Sequence, residues 1–256
     1  AAAGAKAKGT VTVADDKSAT EDIAKGLAAG TTYDVYVVTE TKGSKGVYSA
    51  VHPKVTVTTH KSAPKLSGTS AKAADGSSTA MALSYQVAEA GEVHYVVLGA
   101  DDAVPEDGAA VKTATGAKAK GSFTAKNVAK LETVEIKEGL AAGSAYAVYV
   151  VTETTGSKGV FGPVSPKAAA NMHAEAPKIG ASTASPTDGT ATAFALTCQV
   201  ESTGQLHYAV FLAGSPAPKD GAAVKAAAGA KAKGTVEVKE ANKAETVDIK
   251  SGLETG

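Results

Sequence analysis

The chain has 256 residues, with 26 basic residues balanced by 26 acidic ones, one cysteine and no tryptophan. Every basic residue is lysine, so the planar arginine fork that grips phosphates and base edges is absent, and zero net charge with evenly spread lysines argues against nucleic acid or an anionic membrane as the main partner. A lone cysteine excludes an internal disulfide framework, and no apolar run approaches the ~20 residues of a membrane span.

Along the chain, segments return. GAKAKG stands at Gly4–Gly9, Gly116–Gly121 and Gly229–Gly234; GLAAG at Gly26–Gly30 and Gly139–Gly143 returns as GLETG at Gly252–Gly256. The run from Tyr33 to Val47 matches that from Tyr146 to Val160, and the AlaProLys at Ala63 returns at Ala176. The period of roughly 113 residues is far longer than a solenoid unit of ~20–50, so each copy is expected to be a domain with its own core. The predicted organisation is residues 1–62 as the C-terminal part of one repeat, 63–175 as a complete repeat, and 176–256 as the N-terminal part of a third. Beginning and stopping inside repeats is read as a window on a longer array. The second reading is that neighbouring copies complete each other by exchanging strands.

The complete repeat starts after a connector, His60–Pro64, whose counterpart is His173–Pro177; proline stiffens such joints. A first strand is predicted over Lys65–Ser70, followed by an Asp-Gly turn at Asp75–Gly76, repeated at Asp188–Gly189. Met81, Leu83, Tyr85 and Val87 alternate with smaller or polar residues, as Phe194, Leu196, Cys198 and Val200 do, which is the period of a half-buried strand. Val93–Leu98 and Leu206–Leu212 read as a central buried strand. Asp107 and Asp220 each precede a short alanine-rich stretch and are placed to cap a short helix. GAKAKG then leads into a strand in each copy: Thr10–Val13, Ser122–Ala125 and Thr235–Val238. Thr133–Ile136, Tyr146–Glu153 and Gly159–Lys167 are the remaining strands. About seven short strands, glycine turns and one minor helix per repeat predict an all-β chain of tandem sandwiches in an extended array, each with an inserted helix.

Leu140 to Val150, with its glycine turn, Tyr146 and alternating apolar residues, resembles the fibronectin type III pattern around its tyrosine corner. Leu27, Gly30, Tyr33, Val35 and Val37 follow the same pattern. The resemblance to fibronectin type III or immunoglobulin-like domains implies that the hydroxyls of Tyr33 and Tyr146 bond back to upstream backbone. The family's usual core tryptophan is missing, leaving its volume to Tyr85 or Leu83. The repeats are also longer than the family norm, by the helix and the GAKAKG segment. Their Ala-Lys-Gly-rich character is similar to repeat modules of large surface and secreted proteins.

No catalytic constellation repeats, and the sequence calls for no cofactor and no metal. His94 and His207 correspond but have no acid, cysteine or second histidine at ligand spacing, so they read as strand residues on a sheet face. His60 and His173 read as polar connector residues, with a pH-sensitive joint as the alternative. The pairs Asp15–Asp16 and Asp101–Asp102 resemble calcium carboxylates but have no counterparts in other copies. Cys198 corresponds to Tyr85 and reads as a small core residue. Asn127, Asn171 and Asn242 do not correspond, which argues against a repeated Lys–Asn crosslink. GAKAKG lacks the Gly-Lys-Ser/Thr ending of a phosphate loop and suits a sheet-edge or bridging role.

The leading functional expectation is a structural, non-catalytic stalk or shaft of an extracellular or cell-surface protein or filament. Its partners are neighbouring repeats and identical chains, with no nucleic acid and no membrane insertion. Val111, Lys112, Lys118 and Lys120, with Val224, Lys225, Lys231 and Lys233, are the expected inter-domain or assembly contacts. The alternatives are an adhesive module using Tyr48 and Phe161 on a glycan or protein ligand, and accessory domains of a secreted enzyme.

Overall fold

The computed structural model describes residues 4–14, 17–43, 46–156 and 159–253. The chain divides into two compact units, Ala1–Ala174 and Glu175–Gly256. The first holds β1 (Thr32–Val35), β2 (Val55–Thr58), β3 (Leu66–Ala73), β4 (Met81–Val87), β5 (Gly91–Gly99), α1 (Gly108–Thr113), β6 (Ala119–Ala125), β7 (Glu132–Ile136), β8 (Ala145–Glu153) and β9 (Ala168–Asn171). The second holds β10 (Ile179–Pro186), β11 (Phe194–Val200), β12 (Gly204–Val210), α2 (Gly221–Ala226), β13 (Ala232–Val238) and β14 (Ala244–Ile249).

Residues 63–174 form a sandwich of two antiparallel sheets, ordered β3-β4-β7 and β6-β5-β8-β9. It is an antiparallel β-sandwich of a three-stranded and a four-stranded sheet. Alternating residues of β4 (Met81, Leu83, Tyr85, Val87) face Val93, Val97, Val148 and Val150 of the other sheet and build the inner core. Leu83 and Tyr85 both take core positions, with the Tyr85 ring 4.6 Å from that of Phe123.

The inserted helix gives the four-stranded sheet a second core. Asp107 accepts from Ala110 N at 2.7 Å to cap α1, as Asp220 accepts from Ala223 N at 2.7 Å to cap α2. Val111 of α1 then packs with Val96, Leu98, Ala147, Tyr149 and Val151 on the sheet's outer face. With both faces covered, β8 is buried from Tyr146 to Glu153. That explains why its sequence is an almost continuous apolar run instead of an alternation.

Three sequence expectations change. The first strand is longer than predicted and carries a register shift between Ser67 and Ser70, at Gly68 with φ +65°. Gly159–Lys167 is not a strand: it follows β8 through single bonds such as Gly162 N to Thr152 O and Ser165 N to Val150 O. Pro163 and Pro166 have no N–H for a ladder, and the closing strand is β9. Thr10–Val13 forms no strand, unlike the equivalent β6 and β13, which each pair with an adjacent strand.

Glu175–Gly256 carries equivalents of β3 to β7 and α1, as sheets β10-β11-β14 and β12-β13. Its core is smaller, centred on Cys198, Val200, Leu206 and Val238.

Candidate functional site

Among the described residues, a buried polar cluster sits where β8 ends. Glu153 is 4% exposed, beneath the outer core. Its Oε2 accepts from Lys112 Nζ at 2.6 Å and pairs with His94 Nε2 at 2.7 Å; its Oε1 accepts from Gly159 N at 2.7 Å. Phe161 closes the cluster, its ring centroid 5.7 Å from Lys112 Nζ and edge-on to His94 at 6.1 Å. Burial alone would raise the Glu153 pKa. The Lys112 ammonium, the Gly159 N–H and His94 outweigh it and hold the carboxyl at about 2.

Each partner comes from a different element. His94 lies on β5 opposite Val151, Lys112 on the last turn of α1, and Gly159 and Phe161 on the segment after β8. One carboxylate therefore ties helix, central strand and loop together. Its lone pairs are spent on donors of its own domain, so the cluster acts as a clamp. Among the described residues no group of three or more His, Cys, Asp or Glu is placed to hold a metal ion.

The sequence reading missed this cluster because it sought partners near His94 along the chain, whereas Glu153 lies 59 residues away. The signal was present. Glu closes both TyrValValThrGlu runs, at Glu40 and Glu153, and His94 and Lys112 return as His207 and Lys225. In the first copy Gly46 N already donates to Glu40 Oε1 at 2.7 Å, as Gly159 does to Glu153.

The remaining sequence candidates are placed as follows. The hydroxyls of Tyr33 and Tyr146 accept from Ala28 N at 2.6 Å and Ala141 N at 2.8 Å. Val111 is fully buried against its own sheet, so it offers no surface to a neighbour; Val224 is half-buried. Lys112 is turned to Glu153. Lys120 Nζ donates to the α1 end at Ala114 O, 2.9 Å away, and Lys233 Nζ to Ala226 O at 3.0 Å. Lys118 and Lys225 are exposed. The Lys118 carbonyl abuts Gly139, where a Cβ would come within 1.7 Å, and the Lys231 carbonyl abuts Gly252 in the same way at 1.8 Å. The second half of GAKAKG lies inside β6 and β13. Phe161 is half-buried, whereas Tyr48 is 61% exposed.

His207 pairs through Nδ1 with Thr235 Oγ1 at 2.8 Å. Cys198 is buried, and burial pushes its thiol pKa up. Asp102 accepts from Gly99 N at 2.7 Å and so serves its own turn; Asp15–Asp16 lie outside the described residues.

The connector before residue 65 is bonded on both sides. Gly30 N donates to His60 O at 2.8 Å, Thr154 Oγ1 to Lys61 O at 3.1 Å and Thr152 Oγ1 to Pro64 O at 2.5 Å. The Pro64 ring sits on Gly91, where a Cβ would come within 2.6 Å of it; Pro177 sits on Gly204 in the same way. At the second connector Gly143 N donates to His173 O at 2.9 Å.

No protein-family model and no curated protein sequence matches the chain. Among solved structures it is similar to the FN1–FN3 domains of chicken CNTN1, at 13% identity and TM-score 0.38, over 89% of this chain and 68% of that one. It is also similar to native alpha-2-macroglobulin from Escherichia coli spanning domains MG0-NIE-MG1, at 13% identity and TM-score 0.19, over 89% and 78% of the two chains. Among the described residues no helix is long and apolar enough to cross a membrane.

Proposed function

We propose that this chain is a structural, non-catalytic repeat segment, part of a stalk or shaft of an extracellular or cell-surface protein. The observation that carries this reading is the bonded connector at His60–Pro64. Its carbonyls are held by Gly30 on one side and by Thr152 and Thr154 on the other. A binding hinge has no need of such a joint, whereas a load-bearing one does. Supporting it, the recurring polar residues serve internal roles: Glu153 clamps, Lys120 ends a helix, Tyr146 fixes a corner.

Pulling single chains by their ends in a force spectrometer tests the reading. The sandwich of residues 63–174 should open in one discrete event, releasing roughly 370–400 Å of contour length for about 110 residues. Gradual extension without a discrete event would sink the load-bearing role.

A further inference from the structure

We infer that Asp75 and Asp188 are sites of slow self-modification, in which aspartate isomerises to isoaspartate, while Asp107 and Asp220, in the same dipeptide, are protected by the fold.

Aspartate precedes glycine at four places, Asp75, Asp107, Asp188 and Asp220. The dipeptide carries its own chemistry. Glycine has no side chain to shield its amide nitrogen, so that nitrogen can reach the carboxyl carbon of the aspartate before it. In that step the bond from the glycine nitrogen to the aspartate Cγ forms and a Cγ–O bond breaks. The amide proton and the carboxyl OH leave together as water. Water then opens the five-membered succinimide. Attack at Cγ returns aspartate; attack at the main-chain carbonyl carbon leaves isoaspartate, with the chain now routed through Cβ and Cγ. Nothing is oxidised or reduced, and water is the only co-reactant.

The step needs a carboxyl that is free to turn and an amide that is open to it. Asp75–Gly76 meets both conditions. It is the tip of the β3–β4 hairpin, exposed at both residues. The turn is held by its flanks, Ala74 N to Ala80 O at 2.8 Å and Ser77 N to Ala74 O at 3.2 Å, and among the described residues no bond engages the Asp75 carboxylate. Gly76 has φ +77°, and a Cβ built on it would meet nothing within 4 Å, so the space around it is open. Asp188–Gly189 repeats the arrangement at the tip of the β10–β11 hairpin. Both residues are exposed, and Gly189 has φ +75° with the same open surroundings. Thr187 N to Ala193 O at 3.1 Å and Thr190 N to Thr187 O at 3.3 Å close that turn.

Asp107 shares the dipeptide and meets neither condition. Its Oδ1 is spent on Ala110 N at 2.7 Å as the cap of α1. Gly108 is buried, and a Cβ there would come within 2.4 Å of Phe161. Asp220 makes the same capping bond, to Ala223 N at 2.7 Å. Reaction at a cap waits for the start of the helix to open. Each unit therefore holds one Asp-Gly step free at a hairpin tip and one locked in a cap. Isoaspartate at the tip adds one atom to the main chain of the turn and leaves a carboxylate on Cα.

The test is peptide mapping of the full chain after weeks at neutral pH. Electron-transfer fragmentation tells isoaspartate from aspartate, as does an aspartate-specific endoprotease, which does not cut before the isomer. Isoaspartate should accumulate at Asp75 and Asp188 about tenfold faster, or more, than at Asp107 and Asp220. In strong urea the four sites should react at similar rates, because the fold makes the difference. Three results would each overturn the inference: no isoaspartate at Asp75 and Asp188, equal rates at all four sites in the folded chain, or an unequal pattern that persists in urea.

Discussion

Leu83 on β4 and Leu196 on β11 hold equivalent places in two copies of one repeat, yet the first is fully buried and the second half-buried. Val97 and Val210 differ in the same way, and so do Val111 and Val224. The strands beside β4 and β11 pair in the same order, and in the same register except where the first strand shifts, between Ser67 and Ser70 in one unit and between Ile179 and Ala181 in the other. What differs is β8, which sends Val148 and Val150 into the inner core and Tyr149 and Val151 into the outer one. Burial in this fold is therefore set less by a residue's own strand than by the one central strand that both cores share.

The largest effect expected from this contrast concerns the leucines. Leu83→Ala should cost about 2–5 kcal/mol, as cavity-forming changes in full cores do. Leu196→Ala should cost less than half as much, because its surroundings are already open to water. Hydrogen exchange followed separately on β4 and β11 would measure both. Equal losses would show that β8 is not what distinguishes the two units.

How far the fold was legible follows the same line. Local signals were read correctly where the physics is local: Asp107 and Asp220 cap helices because the capping carboxylate reaches only three residues on. The alternation of β4 was legible because one of its faces is polar. The double burial of β8 was hidden, since an apolar run does not say what covers each side. Glu153 was missed for a related reason: its partners are brought together by α1 and β5, far apart along the chain. Val111 was misplaced on the surface because a short alanine-rich helix carries too few apolar residues to reveal its buried face.

The clamp supplies the next effect. Glu153→Ala removes a buried acceptor of three donors and should cost about 2–3 kcal/mol. Glu40→Ala, at the exposed equivalent, should stay within about 0.5 kcal/mol in dilute monomer. The pH dependence has a definite sign. The Glu153 carboxyl is held at about 2 in the folded chain against an ordinary 4.5. Its contribution is thus complete above about 4.5 and is lost as pH falls from there through about 2. Unfolding followed by urea between neutral and acid pH should show this loss, and Glu153→Gln should flatten it. An unchanged profile in the Gln variant would mean that other carboxylates carry the acid sensitivity.

The smallest effect separates two readings of the GAKAKG lysines. If Lys120 serves its own domain, its work is at the last carbonyls of α1, where a cation meets the negative end of the helix. Lys120→Ala should then cost about 0.5–1 kcal/mol and speed hydrogen exchange within Gly108–Thr113, while leaving self-association unchanged. Lys233→Ala should do the same to α2, with a smaller change, because Val224 anchors that helix less deeply than Val111 anchors α1. If instead the helix amides are undisturbed and association weakens, the lysines face another chain and the cap is incidental. Helix protection and oligomer size are independent readouts, so a single variant decides which surface the motif belongs to.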